Sequence, residues 1–242
     1  MLFFLLILPI GEYNLSIGIV VTYHGEIEFL PQALSSIAEQ TILPKEVIVI
    51  NDAHHSDPSK LVEQYNFKYI ENPQNVGLAV SRNIGIEALD TDFYIPLDAD
   101  DYLNKNCVQM YTDAIALDGF CYYYYSNIYL KQTGISYWKA KPFDISYLLR
   151  YNYISATACV PKWAWDGVNG YDNEFSNAGG WEDWAFYLKL FEFDVTGVHI
   201  PHPLFYRRIR SDSMIKKADN KKLRQLLELK FAKLYDLHGD VN

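Results

Sequence analysis

Residues 93–104 read Phe-Tyr-Ile-Pro-Leu-Asp-Ala-Asp-Asp-Tyr-Leu-Asn, a short apolar run that passes directly into three carboxylates, Asp98, Asp100 and Asp101. Asp-x-Asp spacing alone is a weak signal. A chain of 242 residues contains about one by chance, and another stands at Asp90-Thr91-Asp92. Position separates the two. The earlier pair precedes the apolar run, whereas the later one lies at its carboxyl end, where open α/β sheets bind ligands. Carboxylates crowded there repel unless a cation or a hydrogen-bond donor separates them. A hard divalent ion, Mn2+ or Mg2+, held together with substrate phosphates is one resolution. An acidic loop capping a helix that begins near Tyr102 is the other reading.

Working outward, residues 15–22 (LSIGIVVT), 46–50 (EVIVI) and 67–70 (FKYI) are further strand runs. Between the first two, Phe29, Leu30, Ala33, Leu34 and Ile37 recur at helical spacing over residues 26–40. Ser56 caps a short helix reaching Tyr65, and a helix over 77–89 follows the loop at 71–76. This alternation predicts a largely parallel sheet. No G-x-G-x-x-G or Walker motif follows the first strand, so neither a dinucleotide site nor a P-loop is supported.

After Asp101 the rhythm changes to a smaller mixed region. It holds a helix near 104–117, a tyrosine strand at 121–125 covered on both faces, and a hairpin at Gln132-Thr133-Gly134. A short strand at 155–160, a turn at 168–172 and strands at 195–200 and 203–206 follow, with His202 as a turn residue or a further metal ligand. Gly179 and Gly180 lead into a helix opened by Trp181-Glu182-Asp183-Trp184. Acids favour helix amino ends through the macrodipole and capping. The glycines also permit close backbone approach, and indole faces stack on sugar rings. Burial against such rings raises a carboxylate pKa, which prepares a general base.

Three scattered cysteines without a C-x-x-C pair argue against a disulfide scaffold and suit a reducing, cytoplasmic compartment. The run LFFLLIL at 2–8 falls short of the ~20 residues of a membrane span. No Lys or Arg precedes it, as a secretory signal would require. An extra strand, a membrane contact and an extended start site remain open for it. Residues 207–233 carry a net +7 within a chain of net −9. Leu223, Leu226, Leu227, Phe231 and Leu234 form an apolar stripe there between lysines. The stripe packs on the domain, or the helix lies peripherally on the inner membrane face. Nucleic acid is not an expected partner of so acidic a chain without a binding motif.

Five segments, in order, resemble the inverting glycosyltransferases of family 2, which have the GT-A fold. They are VVTYHGEIEFLPQALSSIAEQT (20–41), IVINDAHHSD (48–57), NVGLAVSRNIGIEAL (75–89), LDADD (97–101) and NGYDNEF…GGWEDWAF (169–186). The resemblance covers residues 15–213. It implies a single α/β domain with a nucleotide-sugar half at 15–101 and an acceptor half at 102–213, followed by a basic helix at 214–242 and preceded by the apolar segment 1–14.

The resemblance also implies roles. Thr22 and Tyr23 would meet the nucleotide base, Tyr23 by stacking, and Asp52 would bond base or ribose. Arg82 would reach base or phosphates, with Asn83 supporting that loop. Asp98 would bind the ribose side and join Asp100 at the metal. Asp183 would be the catalytic base, with Glu182 on the acceptor and Gly180, Trp181 and Trp184 lining the acceptor side. Apart from the resemblance, Arg207, Arg208 or Arg210, after the strand at 203–206, either close over the phosphates or stand as solvated surface charge. One departure stands out: Asn51-Asp52-Ala53-His54 replaces a common Asp-Asp-Gly-Ser, which puts the bend of that loop in question. The implied reaction is metal-dependent transfer from a nucleoside diphosphate sugar, by default a uridine one, to a glycan or lipid-linked hydroxyl. A binding protein that has lost catalysis is the first alternative. A nucleotidyltransferase is the second, although His24-Gly25-Glu26 does not supply its glycine-rich loop.

Overall fold

The computed structural model describes residues 15–25, 27–210 and 218–239, so the run at 2–8 lies outside the described residues. The apolar runs form strands β1 (Ile17–Tyr23), β2 (Glu46–Asn51), β3 (Lys68–Glu71) and β4 (Phe93–Asp98). Helices α1 (Leu30–Ala38), α2 (Ser59–Glu63) and α3 (Leu78–Glu87) connect them. The sheet order is β3-β2-β1-β4-β8, in which β8 (Val160–Pro161) is antiparallel to β4 and the other pairings are parallel. In this register Thr22 lies opposite Asp98, so the carboxyl ends of β1 and β4 coincide. The order steps from β2 across β1 to β4, the kind of switch point at which open α/β sheets bind ligands in a crevice outside the carboxyl ends.

The second half builds another sheet. Strands β5 (Tyr102–Leu103), β6 (Tyr123–Lys131), β7 (Ile135–Trp138) and β9 (Gly197–Arg208) run in the order β5-β9-β6-β7. The same half holds helices α4 (Cys107–Asp118), α5 (Ile145–Leu148), α6 (Lys162–Gly167), α7 (Asn173–Ala178) and α8 (Glu182–Glu192). The tyrosine strand is covered on both faces as expected: Tyr123 and Tyr125 join one core cluster and Tyr124 the other. One expectation is corrected. The strands expected at 195–200 and 203–206 are not two with a turn at His202 but one, β9, which begins at Gly197 and has His202 exposed in an irregular step. Pro201 and Pro203 cannot donate to the ladder, and a bulge absorbs them without ending the strand. His202 is absent from the acidic group that could hold a metal.

Both faces of the first sheet are packed. On one, Ile19, Val21 and Val49 meet α1 and α4, and on the other, Val20, Ile48 and Ile50 meet α3. The terminal helices α9 (Asn220–Lys230) and α10 (Ala232–His238) bury Leu223, Leu227, Phe231 and Leu234 in the cluster that holds Trp184. The apolar stripe therefore packs on the domain. Among the described residues, no helix is long and apolar enough to cross a membrane.

The approach of α3 to the sheet depends on Gly85. A Cβ there would overlap Val20 and stand 3.1 Å from Ile50 Cγ1. Gly85→Ala is expected to lower stability by about 1–3 kcal/mol through overpacking, despite the better helix propensity of alanine. A lower urea midpoint at unchanged slope would show it, and an unchanged midpoint would refute it.

Candidate active site

Arg82 organises the crevice. It lies on the inward face of α3 and is 1% exposed. Its Nη2 donates to Asp98 Oδ1 at 2.7 Å and its Nη1 to Glu182 Oε1 at 2.7 Å. Thr22 Oγ1 donates to the same Asp98 oxygen at 3.3 Å. One buried guanidinium thus ties the end of β4 to the start of α8. In this structure Arg82 and Glu182, expected at the base or phosphates and at the acceptor, turn inward onto each other. The cause is electrostatic. Glu182 is buried and its carboxyl is pushed up by that burial, against the pull of Arg82. A forked cation is the partner that such a group requires. Burial also pushes Asp98 up, but Arg82, Arg207 and Thr22 more than offset it and hold this carboxyl below its usual range.

The acidic loop lies beside this bridge. Asp98, Asp100 and Asp101 each offer an oxygen within 4.8 Å of the others. Asp101 is buried and accepts the Arg208 N–H at 2.7 Å. Burial, and then the charges of Asp100 and Asp98, push the Asp101 carboxyl well up. Burial is the larger cause, and the crowding of the carboxylates adds to it. Three hard oxygens in such a cluster fit a divalent cation. Arg210 Nη1 reaches Asp100 Oδ2 at 3.1 Å. The Arg208 guanidinium donates to the Asp100 carbonyl and to Gln32, and lies over Phe29 and Tyr102. Arg207 is exposed, and its charge lowers the carboxyls of Asp98, Asp101 and Asp183. Of the expected lid residues, Arg207 faces the acids from solvent while Arg208 is pinned.

Asp183 occupies the first turn of α8. Its Oδ1 accepts the Trp184 N–H at 2.7 Å, and Asn152 Nδ2 lies 3.2 and 3.3 Å from its two oxygens. Burial raises the Asp183 carboxyl, against Arg82, Trp184 N–H, Asn152 and Arg207. Trp184 does not offer a face to sugar. It is 3% exposed, with its indole N–H donated to Leu148 O at 2.7 Å. Its bulk fills the core beneath the helix start, where apolar burial outweighs surface display. Trp181 is half-buried, with its ring 4.6 Å from that of Trp184. Gly180 takes φ +138 just before it, a conformation that glycine tolerates.

At the nucleotide-base side, Asp52 accepts N–H groups from Val76 and Gly77 and the Asn72 amide, each at 2.9 Å, and so holds the loop before α3. Tyr23 is 1% exposed, and its hydroxyl donates to Ser56 O at 3.1 Å. Strand β1 is covered on both faces, and the Tyr23 ring, expected on a base, fills the core. Asn83 joins Tyr171 and Trp165, not its own loop, through Tyr171 O at 2.9 Å, Tyr171 N–H at 2.9 Å and Trp165 Nε1 at 3.0 Å. Ala53 adopts φ +54, so the loop bends as a glycine would allow, at a cost of roughly 1–2 kcal/mol. Asn152 was not anticipated; a single Asn in a loop carries no local signal of its partner.

A family model described as glycosyl transferase family 2 matches residues 18–208. The chain is similar to the teichoic acid poly(glycerol phosphate) polymerase of Staphylococcus epidermidis, with 27% identity over 205 residues, covering 78% of this chain and 28% of that protein. The chain thus spans little more than a quarter of that relative. It is also similar to the UDP-Gal:alpha-D-GlcNAc-diphosphoundecaprenol beta-1,3-galactosyltransferase of Escherichia coli, with 24% identity over 204 residues, covering 76% of this chain and 70% of that one. The crystal structure of S. aureus TarS 1–349 in complex with UDP-GlcNAc shares the fold, with a TM-score of 0.73 at 17% identity over 94% of this chain and 68% of that one. The matched segment runs from β1 through β9 and includes Asp98, Asp100, Asp101, Glu182 and Asp183: the chain belongs to glycosyl transferase family 2 and has the GT-A fold.

Proposed function

We propose that this enzyme moves a sugar from a uridine diphosphate donor to a hydroxyl of a glycan or lipid-linked acceptor, by direct displacement with inversion. The observation that carries the reading is the placement of Asp183. Its carboxyl is raised by burial and held by Asn152 and the Trp184 N–H in the first turn of α8, while its neighbour Glu182 is engaged by Arg82, which also holds Asp98 of the acidic cluster. One base opposite one leaving-group site suits a single in-line step. Two relatives support the donor class, one named for UDP-Gal and another solved in complex with UDP-GlcNAc.

In this reading residues 15–101 hold the donor and residues 102–213 the acceptor. Asp183 takes the proton of the attacking hydroxyl. Asp98, Asp100 and Asp101 would hold a divalent cation, which when bound supplies positive charge to the departing diphosphate. Arg207 adds charge from the solvent side. Thr22 and Arg82 keep Asp98 oriented and ionised. A lipid-linked or cell-envelope acceptor places the work at the inner face of the membrane. There the exposed Lys221, Lys222 and Lys233 offer a charge-based contact, since the apolar stripe of α9 is turned inward.

Calorimetric titration of nucleoside diphosphates, with and without Mn2+, tests this. UDP is expected to bind in a metal-dependent way. Asp100→Ala should weaken that binding by more than about 100-fold, the upper end of what a supporting contact costs. Release of UDP with a new glycoside completes the reading, whereas pyrophosphate would establish a nucleotidyltransferase. A folded protein that binds no nucleotide overturns the donor site.

A further inference from the structure

Helices α9 and α10 lie beyond the segment matched by the family model, yet a side chain on α9 reaches the centre of the acceptor half. Arg224 Nη1 donates to Leu149 O at 2.8 Å and Nη2 to Arg150 O at 2.6 Å. Tyr235 of α10 completes the contact, its hydroxyl donating to Leu149 O at 2.7 Å and accepting from Arg224 Nη1 at 3.2 Å. The same guanidinium lies over the rings of Trp181 and Trp184, 5.4 and 4.6 Å from their centroids. Carbonyls at the end of a short helix have no partners within it. A planar, forked cation satisfies two of them at once while stacking on indole, which an ammonium cannot do.

The two pieces clamped by Arg224 are those that hold Asp183. Asn152 follows Arg150 by two residues and donates to the Asp183 carboxylate, while Trp184 donates its N–H to the same group. Trp181 stands in the left-handed region at φ +70, a conformation that persists in a non-glycine residue only where surroundings enforce it. The docking of α9 itself does not need Arg224, because Leu223, Leu227 and Phe231 already bury it.

We propose that Arg224 is a positioning residue of the acceptor half: it fixes residues 149–152 against the start of α8, so that Asn152 and Trp184 hold Asp183 in one place. Helix α9 is then part of the transfer site. This rests on Asp183 being the base, as argued above.

The test compares the full chain with Arg224→Met and Arg224→Lys by amide hydrogen exchange, by UDP affinity with Mn2+, and by UDP release from UDP-Gal and UDP-GlcNAc. In Arg224→Met, exchange is expected to quicken at 149–153 and 181–185 but not in β1 or β4. UDP affinity and donor KM should hold, while kcat falls by about ten- to a hundredfold, as for a small misplacement of a reacting group. Arg224→Lys should recover little, and Asn152→Ala should give a similar fall that does not deepen in the double variant. Unchanged exchange in both segments, or a rate loss carried by donor KM, overturns the proposal. If the parent chain binds no UDP, the transfer reading fails, and the exchange comparison alone decides whether Arg224 fixes the loop.

Discussion

Arg82→Met is expected to destabilise the protein by about 3–5 kcal/mol, the usual result of removing one member of a buried ion pair. The two carboxylates it serves are not equivalent. The Asp98 side chain is 38% exposed and can recruit water, whereas that of Glu182 is 6% exposed and cannot. Most of the loss therefore comes from Glu182. Its carboxyl already lies above the usual range through burial, and without Arg82 it moves further up. A carboxyl raised in the folded state binds a proton more tightly there than in the unfolded chain. The penalty is then small below the unfolded value of roughly 4.3 and grows as pH rises through the folded one. Urea unfolding near pH 5 and near pH 8 should show the larger loss at pH 8. Glu182→Leu in the Arg82→Met background should restore part of it, because both buried charges are then gone. A pH-independent loss, or no recovery in the double variant, would show that Arg82 acts through packing alone.

The path from sequence to this site was uneven, for identifiable reasons. The runs at 15–22, 46–50 and 93–97 became strands because a stretch buried on both sides needs apolar residues throughout, and their order then placed Asp52 and Asp98 at carboxyl ends. Helical spacing likewise marked Leu223, Leu227 and Phe231 as one buried stripe. Side-chain direction was another matter. Tyr23 ends a strand with no polar face, so alternation cannot say whether its ring enters the core or the crevice. Arg82 and Glu182 are 100 residues apart, and their pairing depends on the placement of α3 against α8. The resemblance pointed Arg82 at base or phosphates; in this structure two carboxylates hold it inward. Asn152 and Arg224 belong to no motif, and their meaning arises only when α5, α8 and α9 meet.

Asp183→Asn is expected to lower kcat by about 10²–10⁴, the range that a positioned general base supplies, while UDP affinity is retained. The amide keeps the size of the side chain and removes only the capacity to take a proton. The wild-type rate should also carry an acid limb. Burial raises the Asp183 carboxyl, so turnover is lost as pH falls through a value above the ordinary aspartate figure of roughly 3.9. Asn152→Ala sharpens the test. Its amide donates to the ionised carboxylate, and removing a donor to the charged form makes the proton harder to lose. The acid limb should therefore move to higher pH in that variant, with the plateau reduced less than in Asp183→Asn. An acid limb that stays in place would assign the titration to another group, and full activity in Asp183→Asn would remove this carboxylate from the chemistry. The size and the pH course of the loss must agree, because Asp183 can serve as base only in the ionised form that its burial opposes and that Arg82, Trp184 and Asn152 restore.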